Sequence, residues 1–133
     1  MPTPAAAPAH PPEELAPAAL RTFFRIADAW ELTQAEARTL LGNPAESTYY
    51  KWKAGKVGSV PSDLLERISY VLGIYKALQI LLPDPAIAEG WIRRPNTAPL
   101  FNGRTALDLM LSGRVADLFL VRQYLDAQRG GWP

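Results

Sequence analysis

A chain of 133 residues, 48% hydrophobic and 20% charged, has the size of one domain or two very small modules and enough apolar content for a folded core. It has no cysteine, which excludes disulfides, thiolate metal sites and cysteine nucleophiles, and its one histidine, His10, leaves no histidine triad, metal pair or acid–base shuttle. A net charge of +1, from 14 Lys and Arg against 13 Asp and Glu, is too small for a polycationic coat for nucleic acid.

Six of the chain's 13 prolines fall in its first 17 residues. This stretch has neither a basic start nor a continuous apolar run, so it is not expected to act as a secretory signal. Its alternation of Ala and Pro predicts an extended, solvated tail over residues 1–16. No apolar run approaches the roughly 20 residues that span a bilayer, so a cytoplasmic protein without membrane contact is expected.

Beyond Pro17 the apolar spacing is helical. Leu20, Phe23, Phe24, Ala27 and Trp30 form one stripe of an amphipathic helix. Thr33 and Glu36 make a Thr-x-x-Glu capping box for a short second helix with Ala37, Leu40 and Leu41 inside, ended by Gly42-Asn43-Pro44. A third helix runs from about Ala45 to Ala54 and stops at Gly55. Residues 56–61 read as a loop, and Ser62 or Asp63 caps the longest helix, which runs to about Leu82. Leu64, Leu65, Ile68, Val71, Leu72, Tyr75, Leu78 and Leu82 give that helix a core stripe, while Ile74, Ile80 and Leu81 lie off it. A helix apolar on more than one side needs a second cover, from another module or another subunit.

Pro83-Asp84-Pro85 breaks the chain and opens a short helix ending near Trp91. Residues 93–104 form a loop rich in Pro, Asn and Gly. Thr105 and Asp108 open another helix, ended by Gly113, and the last helix runs from Val115 to about Gln128. No strand-like alternation survives, so the fold class is all-α.

Short helix, Gly turn and short helix is a helix-turn-helix layout. The run TQAEARTLLGNPAESTYYKWKAG resembles the Xre/Cro-like group of that fold over about Leu20 to Gly55, with Ser47 to Gly55 in the recognition-helix position. Arg38 stands where that group generally has a small residue, and Lys53 where it often has Glu. On helical spacing, Tyr49 and Trp52 pack inward against Phe23 and Leu40, and Ser47, Thr48, Tyr50 and Lys51 face out. Lys51, Lys53 and Lys56 give residues 47–59 three positive charges and no negative one. Such a face suits phosphate contacts and hydrogen bonds to base edges. The residues expected to contact DNA are Gln34, Ser47, Thr48, Tyr50, Lys51 and Lys53. So few cations bind weakly as a monomer, so DNA binding calls for a homodimer.

The C-terminal half carries WIRRPN from Trp91, PLFNGR from Pro99, LDLM from Leu107, Gly113-Arg114 and VRQYLD from Val121, in one order. That order resembles the toxin-binding domain of the Xre/MbcA/ParS antitoxins over about Val71 to Gly131. The resemblance implies a tail (1–16), a helix-turn-helix module (17–60) and a toxin-binding module (61–133) with a dimerising long helix. It further implies an antitoxin, neither an enzyme nor a cofactor binder, whose partner is a RES-domain toxin that consumes NAD. Such an antitoxin covers the toxin's active site and represses its own operon through operator DNA.

Leu118-Phe119-Leu120-Val121 covers too much of a helix's circumference for one core face, so part of that helix should meet a partner. Trp91, Arg93, Arg94, Arg104, Arg114, Arg122 and Tyr124 are residue types that anchor interfaces. Asn96 joins them on the resemblance, although it and Gly103 also read as loop-shaping residues. Trp91 also reads as half core, and Arg122 as an i,i+4 partner of Asp126. The final Arg129-Gly-Gly-Trp132-Pro reads by default as a frayed terminus, and the resemblance implies that it lies near the entrance of the toxin's site. A different class also fits the composition, namely a stand-alone regulator whose C-terminal half dimerises or senses a ligand. A phosphate-binding enzyme does not, because Gly55 to Ser59 lacks P-loop spacing.

Overall fold

The computed structural model describes residues 12–130 as seven α-helices and one 3-10 turn, with no strand among them and a single antiparallel bridge between Pro95 and Thr105. His10 and Trp132 lie outside the described residues. Helix α1 (Pro12–Ala29) starts inside the stretch expected to be a tail. Alanine and leucine around Pro17 favour helix, and Ala16 is fully buried, which extends the contact of α1 with the core.

Helices α2 (Gln34–Leu40) and α3 (Glu46–Lys53) form the helix-turn-helix. The Thr33–Glu36 capping box is complete: the Thr33 side chain accepts from the Glu36 N–H at 3.1 Å, and Glu36 Oε1 accepts from the Thr33 N–H at 2.9 Å. Gly42 turns the chain with φ +93°, a conformation that costs glycine nothing. Arg38, the unusual residue of the scaffold helix, holds that turn by donating from Nε and Nη2 to the Pro44 carbonyl at 3.2 and 3.0 Å. Tyr49 and Trp52 are buried as their spacing requires, and Phe24 of α1 meets Tyr49 edge-on at 5.5 Å.

Helix α4 (Leu64–Leu81) runs through the middle. It packs on α1, on the short α5 (Pro85–Gly90) and on the last helix, α7 (Val115–Gln128). Two expectations for α4 need correction. Ile74 is fully buried, whereas Leu65, Leu72 and Tyr75 are only half-buried. The stripe is rotated because α7 covers the helix on a second side, so the second cover expected from the sequence lies within this chain. Asp63 does stand at the N-cap position, but its side chain makes no capping bond and instead accepts from Arg67 Nε at 2.7 Å. Between α5 and α7 lie the 3-10 turn Trp91–Arg93 and α6 (Ala106–Met110), whose Thr105–Asp108 capping box is complete.

Two arginines set how closely the parts approach. Arg122 of α7 lies over Gly73 of α4, where a Cβ would come within 2.5 Å of its Nε. Arg93 reaches back across the sequence to the end of α1. Its Nη2 donates to the carbonyls of Trp30 and Glu31 at 2.8 and 2.9 Å and stands 3.7 Å from Glu36 Oε1. Those carbonyls end a helix, where the dipole favours a cation.

Replacing Arg93 with Ala removes both charged hydrogen bonds, so we expect a loss of about 1–3 kcal/mol in urea unfolding with an unchanged m-value. Unaltered stability would show that this clamp carries no weight. A second expectation concerns alkaline pH. Burial raises the pKa of Tyr49 above its usual 10.0, with Tyr50 and Asp28 adding to the effect and Arg38 opposing it. The folded state holds this proton more tightly than the unfolded chain. Its contribution is therefore complete below pH 10.0 and is lost as pH rises through the folded value. Tyr49→Phe should make the fall in stability above that pH shallower; an identical alkaline profile would contradict this.

Candidate functional site

Two surfaces emerge from this packing. The first is built on α3. With Tyr49 and Trp52 anchored inside, Ser47, Tyr50, Lys51 and Lys53 are exposed, whereas Thr48, expected to face out, is half-buried. Tyr50 is 49% exposed and rests edge-on against Tyr49 at 5.3 Å, which holds its ring on the surface. Gln34, the first residue of α2, is half-buried, and its Nε2 has no hydrogen-bond partner among the described residues.

Beside this face lies a cleft of about 230 Å³ between α1 and the end of α3, lined by Arg21, Arg25, Asp28, Trp52, Lys53 and Gly55 among others. The sequence reading missed Arg21 and Arg25. They follow the polar side of α1 at i,i+4 spacing, and only the packing of α1 on α3 brings them next to Lys53.

The second surface is built on the 3-10 turn, the loop before α6, and α7. Trp91 and Tyr124 stack at 6.4 Å with their planes 20° apart, and both meet the edge or face of buried Phe101, at 5.9 and 5.1 Å. This three-ring clamp ties the loop to α7. Trp91 and Tyr124 are therefore half-buried, with part of each ring on the surface. Phe101, absent from the sequence-based set, joins the other two rings from within the PLFNGR run.

Asn96 shapes the loop: its Oδ1 accepts from the Ala98 N–H at 2.8 Å, its own N–H donates to the Arg104 carbonyl at 3.0 Å, and its carbonyl accepts from Gly103 at 2.8 Å. Arg94 and Arg104 are left exposed by the loop, and Arg104 lines a cleft of about 170 Å³ with Leu100, Asn102 and Leu109.

The remaining candidates divide by what already holds them. Arg93 is committed to α1. Arg114 precedes α7 and pairs with Asp117 at 2.9 Å; Asp117 is only 7% exposed, while most of Arg114 is in solvent. Arg122 pairs with Asp126 at 3.6 Å, the i,i+4 partnership its spacing suggests, and Arg129 stands 3.7 Å from the same carboxylate. Within Leu118–Val121, Leu118 and Val121 are buried, while Phe119 is 43% exposed and meets Tyr70 edge-on at 5.7 Å. The described residues contain no group of three or more acidic or histidine side chains placed to hold a metal ion, and no helix long and apolar enough to cross a membrane.

Comparison with known proteins follows the same division. Residues 12–73 match the antitoxin Xre-like helix-turn-helix domain, and residues 77–131 match the antitoxin Xre/MbcA/ParS C-terminal toxin-binding domain. The two matched stretches meet inside α4. The uncharacterised protein y4oB of Sinorhizobium fredii is 54% identical over 115 residues, which cover 86% of this chain and 87% of that protein. No solved structure matches the chain. With both halves matched in order, the chain belongs to the Xre/MbcA/ParS antitoxins and joins an Xre-like helix-turn-helix domain to a toxin-binding domain.

Proposed function

We propose that this antitoxin neutralises a RES-domain toxin that consumes NAD, by covering the toxin's active site, and that it represses its own operon as a homodimer. The observation that carries the proposal is the C-terminal domain match together with the surface around the Trp91–Tyr124 stack. There two half-buried aromatic rings, fixed by Phe101, are accompanied by exposed Arg94 and Arg104. Preorganised aromatics beside arginines are the usual anchors of a tight interface, and guanidinium groups suit a site built to receive phosphates. Trp91, Arg94, Asn96, Arg104, Arg114, Arg122, Tyr124, Arg129 and Trp132 form the proposed toxin-contacting set, with Arg93 holding the surface in place from behind. Arg122 and Arg129 reach the toxin only if it competes with their Asp126 partner.

DNA binding rests on Gln34, Ser47, Thr48, Tyr50, Lys51 and Lys53, in the cytoplasm where an operator is available. Dimerisation is supported by two adjoining apolar recesses between α1 and α4, in whose lining Leu15, Ala19, Leu72 and Tyr75 are half-buried.

Co-expression with the product of the neighbouring gene, which the proposal requires to be a RES-domain protein, is the test. We expect a stable complex on purification and restored growth, and a double variant Arg94→Glu, Arg104→Glu should weaken the complex at least about tenfold. Failure of the wild-type chain to co-purify with that protein would reject the toxin assignment. In a gel shift on the DNA upstream of the gene, Lys51→Ala with Tyr50→Ala should abolish the preference for that DNA over an unrelated duplex. A retained preference would place recognition on another face.

A further inference from the structure

Helix α1 belongs, by position, to the supporting side of the helix-turn-helix, yet it contributes charge to the α3 side. Arg21 and Arg25 are exposed one turn apart on the same face of α1. They line the cleft of about 230 Å³ that Lys53 of α3 closes from the other side, with Trp52 and Gly55 in its wall. Like charges at i,i+4 destabilise a helix, and placing a lysine from a second helix beside them adds to the repulsion. Asp28 is the one carboxylate in the lining, and no ion pair joins it to Arg21, Arg25 or Lys53 among the described residues. Lys51 and Lys56 continue the positive surface along α3 and the loop after it, both exposed. Among the described residues the lining holds three cations and one carboxylate, a net positive recess that an anion from outside would balance. The recess opens beside the recognition face and shares Lys53 with it, so an extended polyanion lying on α3 passes over it.

We propose that Arg21, Arg25 and Lys53 form a phosphate-binding cleft for the DNA backbone flanking the bases read by α3. This rests on the DNA-binding role proposed above and adds α1 to the contact surface. The cleft is electrostatic and blind to sequence, so its residues set affinity and its salt dependence while Ser47, Thr48, Tyr50 and Lys51 set preference. Asp28 opposes the same phosphate and lowers the affinity that the cations would otherwise give.

The test is a salt titration of binding to two duplexes of equal length, the DNA upstream of the gene and an unrelated sequence. The proteins compared are the wild-type full chain, Arg21→Ala with Arg25→Ala, Arg21→Lys with Arg25→Lys, and Asp28→Asn. Each neutralised phosphate contributes about 0.9 to the slope of log affinity against log salt. We expect the alanine variant to lose up to about 2 from that slope per protomer, and to lose affinity for both duplexes by the same factor. The lysine variant keeps the charges and should keep most of the slope, and Asp28→Asn should bind both duplexes more tightly. Unchanged helicity and melting of the alanine variant separate this effect from misfolding. If the wild type binds and the alanine variant has the wild-type slope, or loses only the preference between duplexes, the cleft is not a phosphate site. If the wild type binds neither duplex, the DNA-binding role fails and the cleft with it.

Discussion

Helix α4 has to be buried on two sides at once, and the rest of the molecule is arranged to do it. Leu64, Ile68, Val71, Ile74, Ala77 and Leu78 are removed from water across more of its circumference than one neighbour can cover. An apolar helix of that width is unstable in solvent and fixes its neighbours by the need for cover. Helix α1 supplies one side and α7 the other. The helix-turn-helix and toxin-binding stretches, 12–73 and 77–131, meet within this helix, so neither half has a complete core without it. Small modules bury too little apolar surface to fold comfortably alone, and sharing one central helix relieves both.

That sharing explains how the arginines are used. Arg38 closes the helix-turn-helix turn, Arg67 lies along Gly42 and pairs with Asp63, Arg93 clamps the end of α1, and Arg122 crosses Gly73. A nearly neutral protein thus commits several cations to its own frame. Arg94 and Arg104 are left exposed on the loop before α6, and Arg104 shares a cleft with Phe101, the ring that fixes the stacked pair.

Most of the fold was legible because its signals are local. Capping boxes at Thr33 and Thr105, the breaks at Gly42 and Pro83, and the inward pair Tyr49 and Trp52 all act within one or two turns of chain. The register of α4 was not legible, because α7 packs on it through Gly73 and Tyr70, and no local pattern gives the position of α7. The start of α1 was misplaced for a similar reason: prolines argue for a tail, and only the tertiary burial of Ala16 offsets them. At the candidate surfaces, residue type pointed to Trp91 and Tyr124, but the clamp through Phe101 and the diversion of Arg93 to α1 depend on contacts distant in sequence. Arg21 and Arg25 went unread because they become neighbours of Lys53 only after α1 packs on α3.

A titration of purified RES-domain toxin with the purified full-length chain, following NAD consumption, tests the central claim most directly. The account predicts that consumption falls to zero at a fixed molar ratio and that added NAD does not relieve the block once the complex has formed. Undiminished NAD consumption in saturating excess of this protein would contradict it.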